Sequence, residues 1–169
     1  MATPQRFVLD TMLGKLARWL RAMGYDTLYF RAADDRYLLQ LARAEARTLL
    51  TRDAKLARLA GPGGLLIRAT EIESQMAEVL ERLALRPSGD GLLSRCLECN
   101  GLLEDRPKES VGGLVPEYIF ATQERFVGCP ECARIYWQGS HADRILGRLE
   151  RVLGYRHGPG GLDSPGHLT

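Results

Sequence analysis

The sequence predicts an α/β chain: a short parallel sheet flanked by helices, then a small C-terminal zinc ribbon and a terminal helix. Three observations carry that prediction. Between Phe7 and Leu85, short apolar runs alternate with stretches of helical periodicity. Runs so short and apolar suit strands buried on both faces, as in a parallel sheet covered by helices. The four cysteines stand further along as two C-x-x-C pairs, Cys96-Leu97-Glu98-Cys99 and Cys129-Pro130-Glu131-Cys132. A last helical stripe, Ile145, Leu146, Leu149 and Val152, follows them.

Taken in order, Phe7-Val8-Leu9 reads as the first strand, and Leu13, Leu16, Ala17, Leu20 and Met23 as the buried face of the helix after it. Leu28-Tyr29-Phe30 is the second strand, and Leu38, Leu41 and Ala42 mark a helix over 36–47. Thr48-Leu49-Leu50 is the third strand, Leu56 and Leu59 lie on a short helix, and Leu65-Leu66-Ile67 is the fourth strand. Ile72, Met76, Val79, Leu80 and Leu83 form the stripe of a further helix. Gly24 and Gly61-Pro62-Gly63-Gly64 supply breaks, and Arg86 to Gly91 reads as a linker. The expected division is 1–86, then a ribbon with its helix over 92–154, then a glycine- and proline-rich tail over 155–169 expected to be disordered. Ser140 is expected to cap the terminal helix, with Asp143 three residues on.

Bulk composition sets limits. At 169 residues and 45% hydrophobic the chain can build at least one core, and a net charge of +2 does not by itself argue for nucleic acid. Arginine dominates the basic residues, a bias that phosphate binding, base composition or a hot habitat would each produce. No apolar run approaches the ~18 to 20 residues of a membrane span, so no membrane partner is expected. With no secretory signal ahead of the first strand, the expectation is a cytoplasmic protein with reduced thiols.

Those thiols point to one tetrahedral zinc, which takes four thiolates at about 2.3 Å from two such knuckles. Two disulfides would need an oxidising compartment, and a thioredoxin-like motif uses one C-x-x-C pair rather than two. Four thiolates leave no open position for a substrate water, so the zinc is read as structural. Replacing Cys129 is expected to unfold the ribbon and to spare the first 85 residues.

A second set of ligands lies in the first half. Ligands of an open parallel sheet bind beyond the carboxyl ends of its strands. Asp10 ends the first strand, Asp34-Asp35 follow the second, and Asp53 follows the third. Carboxylates that converge in this way call for a hard cation, magnesium or manganese, and a pair of such ions can drive in-line hydrolysis of a phosphodiester. Each acid can equally be a helix N-cap, yet caps at all three strand ends could as well have been serine, threonine or asparagine. Glu45 is a further candidate acid, with a solvated helix face as its plainer reading. Lys15, Arg18 and Arg21 on the first helix, and Arg52 beside Asp53, are candidate phosphate contacts or simply a solvated face. Trp19 reads as core or interface.

Four segments carry a resemblance: Phe7 to Asp26, Asp35-Arg36-Tyr37-Leu38-Leu39, Leu50-Thr51-Arg52-Asp53, and Tyr136-Trp137-Gln138-Gly139-Ser140-His141. Together they resemble the Mut-seven carboxy-terminal RNase family, over nearly the whole chain to about Leu153. The resemblance implies a PIN-like domain with an appended zinc ribbon, and a metal-dependent endoribonuclease acting on RNA. It implies Asp10, Asp35 and Asp53 as the acids that hold magnesium or manganese, with Asp34 the less favoured neighbour. PIN-like domains often pair, so a homodimer is a further expectation. Two positions depart from the family pattern: Thr11 after the first aspartate, and Ala142 after Ser140-His141. His141 either approaches the scissile phosphate or packs against Trp137. The alternative function is a non-catalytic RNA-binding module, associated with tRNA or ribosomes, in which the ribbon is the working part. A haloacid-dehalogenase-type phosphatase would need an aspartate two residues after Asp10, where Met12 stands.

Overall fold

The computed structural model describes residues 5–87 and 89–154; the expected disorder of the tail and the two readings of the His141 side chain lie outside the described residues and side chains. Strands β1 (Arg6–Leu9), β2 (Asp26–Tyr29), β3 (Thr48–Thr51) and β4 (Gly64–Leu66) pair in the order β2-β1-β3-β4, all parallel. Their residues alternate between two cores, as the two-residue period of a strand requires. Phe7, Leu9 and Leu50 point to one face, where they meet Leu16 and Leu20 of α1 (Gly14–Ala22) and Met76 and Val79 of α4 (Ile72–Arg82). Val8 and Leu49 point to the other, against Leu38 of α2 (Asp35–Ala44) and Leu56 of α3 (Ala54–Ala60). Helices on both faces explain the apolar centres of β1 and β3, Phe7-Val8-Leu9 and Leu49-Leu50.

Around the second cysteine pair the chain builds a three-stranded antiparallel sheet in the order β5-β6-β7, from β5 (Glu104–Arg106) and β6 (Phe126–Gly128) before the pair and β7 (Ile135–Trp137) after it. The stretch between Cys99 and Cys129, read from sequence only as a long insertion, also carries α5 (Glu117–Thr122). It has its own small apolar cluster of Val111, Val115, Ile119 and Phe126.

The ribbon and α6 (Ser140–Leu153) are not held apart from the parallel sheet. Leu92, Leu97 and Leu149 are buried in the same core as Phe7 and Leu9, and Leu149 is wholly inaccessible. A leucine so placed stabilises the fold by about 2 kcal/mol through burial alone. On the same side, the Arg148 guanidinium lies 5.3 Å over the Trp19 ring and pairs with Glu73, which makes Trp19 the seat of α6.

Two helix starts differ from expectation. Asp34, not Asp35, caps α2: it keeps an extended backbone and its side chain accepts from the Tyr37 N–H at 2.7 Å, so Asp35 becomes the first helical residue. Ser140 is likewise the first residue of α6, whose cap is Gly139 with no side-chain bond.

Candidate metal centres

The carboxyl ends of β1 and β3 lie side by side, with the Asp10 N–H donating to the Leu50 carbonyl at 3.1 Å. Asp10 is almost wholly buried. Its Oδ1 accepts from the Met12 N–H at 2.8 Å, and its Oδ2 accepts from the Thr51 hydroxyl and from the Arg52 N–H at 3.1 Å. The same Thr51 hydroxyl accepts from the Asp53 N–H at 2.9 Å, which ties the two acids together through one buried side chain. Asp53 caps α3 through Oδ1, taking the N–H groups of Leu56 at 3.0 Å and Lys55 at 2.6 Å, and these bonds hold its carboxyl below the usual range. Its Oδ2 has no hydrogen-bond partner among the described residues. Asp35 stands exposed at the head of α2, beyond the end of the neighbouring β2, and its carboxylate has no hydrogen bond or ion pair among the described residues.

Asp10, Asp34, Asp35 and Asp53 thus all lie at the carboxyl edge. They do not close into a tight cluster: among the described residues only the four cysteines bring three or more metal-ligating atoms within 4.8 Å of one another. Glu45 is at the wrong end. It caps the far terminus of α2, at the edge where β1 and β2 begin, and is taken up by Arg47 at 2.7 Å and Arg6 at 3.4 Å. A helix that starts beyond one edge of the sheet and packs back across it must finish at the other, which removes Glu45 from the candidate acids.

The four cysteines arrange themselves as the spacing demands. Sγ of Cys96 is 3.5 Å from Cys132 and Sγ of Cys99 is 3.3 Å from Cys129, and all four thiols are free. A disulfide would require about 2.05 Å. A tetrahedron with bonds of about 2.3 Å has edges of about 3.8 Å, so the set fits one zinc. The Cys96 thiol is prepared for ionisation: burial opposes it, but the Tyr136 hydroxyl at 3.1 Å and the N–H groups of Cys99 and Glu98 outweigh burial and bring it down to about 7.

The family model of the Mut7-C RNAse domain matches residues 5–149. The chain belongs to that family. No curated protein and no solved structure matches it.

In this Mut7-C RNAse domain the first knuckle is bolted to the parallel sheet. Asn100, directly after Cys99, accepts from the Thr27 N–H at 2.8 Å and donates to Asp26 Oδ1 at 2.8 Å. Arg21, expected among the phosphate contacts, is buried instead: it donates to the carbonyls of Thr27 at 3.0 Å, Leu97 at 2.9 Å and Glu98 at 2.9 Å. Arg18 pairs with Glu98 at 2.9 Å. Of the expected cations, Lys15 and Arg52 keep exposed side chains without an ion pair among the described residues. Thr51 and Asn100 are the residues that sequence reasoning missed. Thr51 lies within a turn already singled out. Nothing in the spacing distinguishes Asn100 from any polar residue after a knuckle.

Proposed function

We propose that this chain is a divalent-metal-dependent endoribonuclease whose Asp10, Asp35 and Asp53 hold magnesium or manganese. The observation that carries the proposal is the unspent acceptor capacity at the carboxyl edge. A carboxylate offers about four lone-pair sites. Asp10 receives three donors, Asp53 two and Asp35 none, so oxygen remains for a hard cation that takes about six ligands. Bound there, the ion would supply activation of a water and neutralisation of the leaving oxygen. Asp10 is the fixed point of the site, since its burial and three bonds leave it one orientation. Thr51 holds Asp10 and Asp53 in mutual register. Arg52 and Lys15 stand ready for phosphate oxygens, while Arg18 is withheld by Glu98. In this reading the zinc builds the ribbon, which helps to grip RNA.

One observation favours the second reading, a module that binds RNA without cutting it: Asp10 and Asp53 already serve as caps. Incubating structured and unstructured RNAs with manganese, magnesium or chelator, beside Asp10→Asn, separates the two. Cleavage that requires both the metal and Asp10 supports the nuclease. Asn at this position keeps one acceptor oxygen and turns a donor toward either the Met12 or the Arg52 N–H, so loss of cleavage reports on chemistry where the thermal midpoint shows the variant folded at the assay temperature. Binding without cleavage under every condition transfers the function to the ribbon.

A further inference from the structure

Most of the arginines seen in ion pairs here are engaged within the body and knuckles. Arg6 and Arg47 meet Asp26 and Glu45, Arg18 meets Glu98, Arg82 meets Glu78 and Arg148 meets Glu73. The open groove between α2 and α3, of about 780 Å³, gathers three cations that belong to none of these pairs. Arg36, Arg43 and Lys55 line it against a single acid, Asp35, beside the half-buried Leu39 and the exposed Leu59. Among the described residues none of the three cations is ion-paired within 4.0 Å. The Arg43 guanidinium donates one bond to the Leu59 carbonyl at 3.1 Å, which fixes its direction without cancelling its charge.

The groove starts at the candidate metal centre. Asp35 opens α2, and Lys55 is two residues beyond Asp53, to whose carboxylate its N–H donates. From there Arg36 and Arg43, seven residues apart, lie on one face two turns from each other, so their Cα atoms are separated by about 10 Å along the axis. A row of uncompensated cations leading away from an acidic centre suits a polyanion whose scissile phosphate sits at the acids and whose neighbouring phosphates run along the row. We infer that the α2–α3 groove is the track for the RNA strand on one side of the cleavage point, with Arg36 and Arg43 as phosphate contacts. The inference rests on the ribonuclease reading.

Phosphate contacts reveal themselves by counterion release. Each contact on a single strand contributes about 0.7 to the slope of log affinity against log salt. The test is fluorescence anisotropy of a labelled oligoribonucleotide with the zinc-loaded Asp10→Asn protein over a series of salt concentrations. Arg36→Gln with Arg43→Gln is expected to shallow the slope by about 1.4. Arg36→Lys with Arg43→Lys keeps the charges, gives up the bond to Leu59 and is expected to keep the slope. Both positions are exposed, and unchanged thermal midpoints establish that the variants are folded. A parent slope retained by the glutamine variant, while metal-dependent cleavage by the otherwise wild-type protein stands, overturns the groove and leaves the nuclease. A protein that neither binds nor cuts RNA overturns both.

Discussion

Replacing Asn100 by alanine tests whether the zinc knuckle and the parallel sheet are one structural unit. Three separate losses follow from the geometry. The Thr27 N–H, on a residue with no solvent exposure, loses its only side-chain acceptor, and a buried donor left unpaired costs about 1–3 kcal/mol. Asp26 loses a bond to its carboxylate, worth about 1.5–3 kcal/mol for a charged partner. Asn100 also sits at φ 76°, in the left-handed region that asparagine tolerates and alanine resists by about 1–2 kcal/mol. Together these come to about 3.5–8 kcal/mol, a large share of the 5–15 kcal/mol that holds a typical domain. At about 2–4 °C per kcal/mol for a chain of this size, the melting midpoint of the zinc-loaded protein should fall by about 7 °C or more. Urea unfolding followed by far-UV circular dichroism, with zinc retention read in parallel, measures the loss. Asn100→Gly removes the backbone penalty alone and should recover about 1 kcal/mol of it. A loss below about 1 kcal/mol in the alanine variant, or a knuckle that melts apart from an unaffected sheet, would refute the reasoning.

Further outcomes follow from the same contacts. Cys129→Ser, or chelation of the zinc, should lower the stability of the parallel sheet along with the ribbon in one transition, because Arg21, Asn100, Leu97 and Leu149 join them; two resolved transitions would contradict this. Thr51→Val keeps the side-chain shape but removes the donor to Asp10 and the acceptor for Asp53, and should weaken manganese binding in calorimetry about 10- to 100-fold, with Thr51→Ser near wild type. Equal affinity in the valine variant would show that Thr51 does not position the acids. Burial pushes the Asp26 carboxyl up, but bonds from Arg47 and Asn100 outweigh it and hold it down at about 2. Because the folded value lies below the ordinary 3.8, the stabilisation is complete above about pH 4 and is lost as pH falls towards 2. After discount for its partial exposure it amounts to about 1 kcal/mol. Asp26→Asn should flatten that limb of the pH–stability curve, and a curve of unchanged steepness would assign the acid sensitivity elsewhere.

The parallel sheet was legible because its strands are short, apolar runs that burial on both faces requires, and its helices carry regular stripes. Phe7-Val8-Leu9 shows the limit of that legibility. The run announces a buried strand but not which residue faces which core, since both faces are apolar. The convergence of the four cysteines was legible from spacing alone. The placement of Asp10, Asp35 and Asp53 at one edge followed from topology, whereas the fate of Glu45, Arg18 and Arg21 did not. Those three sit on helices where a charged residue has the same sequence signature whether solvated, ion-paired or buried against carbonyls. The exchange of Asp34 for Asp35 as a cap has a similar cause: two adjacent aspartates are equivalent in a pattern and differ only in backbone angle. The α5 segment was missed because its helix, Glu117–Thr122, is too short to display a period.

The seat of Leu149 in the core shared with α1 and α4 has a consequence for the order in which the protein takes shape. During synthesis the four strands of the parallel sheet are made first, but the surface that α6 covers stays bare until the chain has grown past Leu149. At ordinary rates of translation that interval lasts several seconds. A nascent chain in this state carries an uncovered apolar face on the helices that pack on the sheet, Trp19 included, which is the condition in which chaperones are recruited or neighbouring chains associate. Closure waits on two late arrivals, the terminal helix and the second cysteine pair.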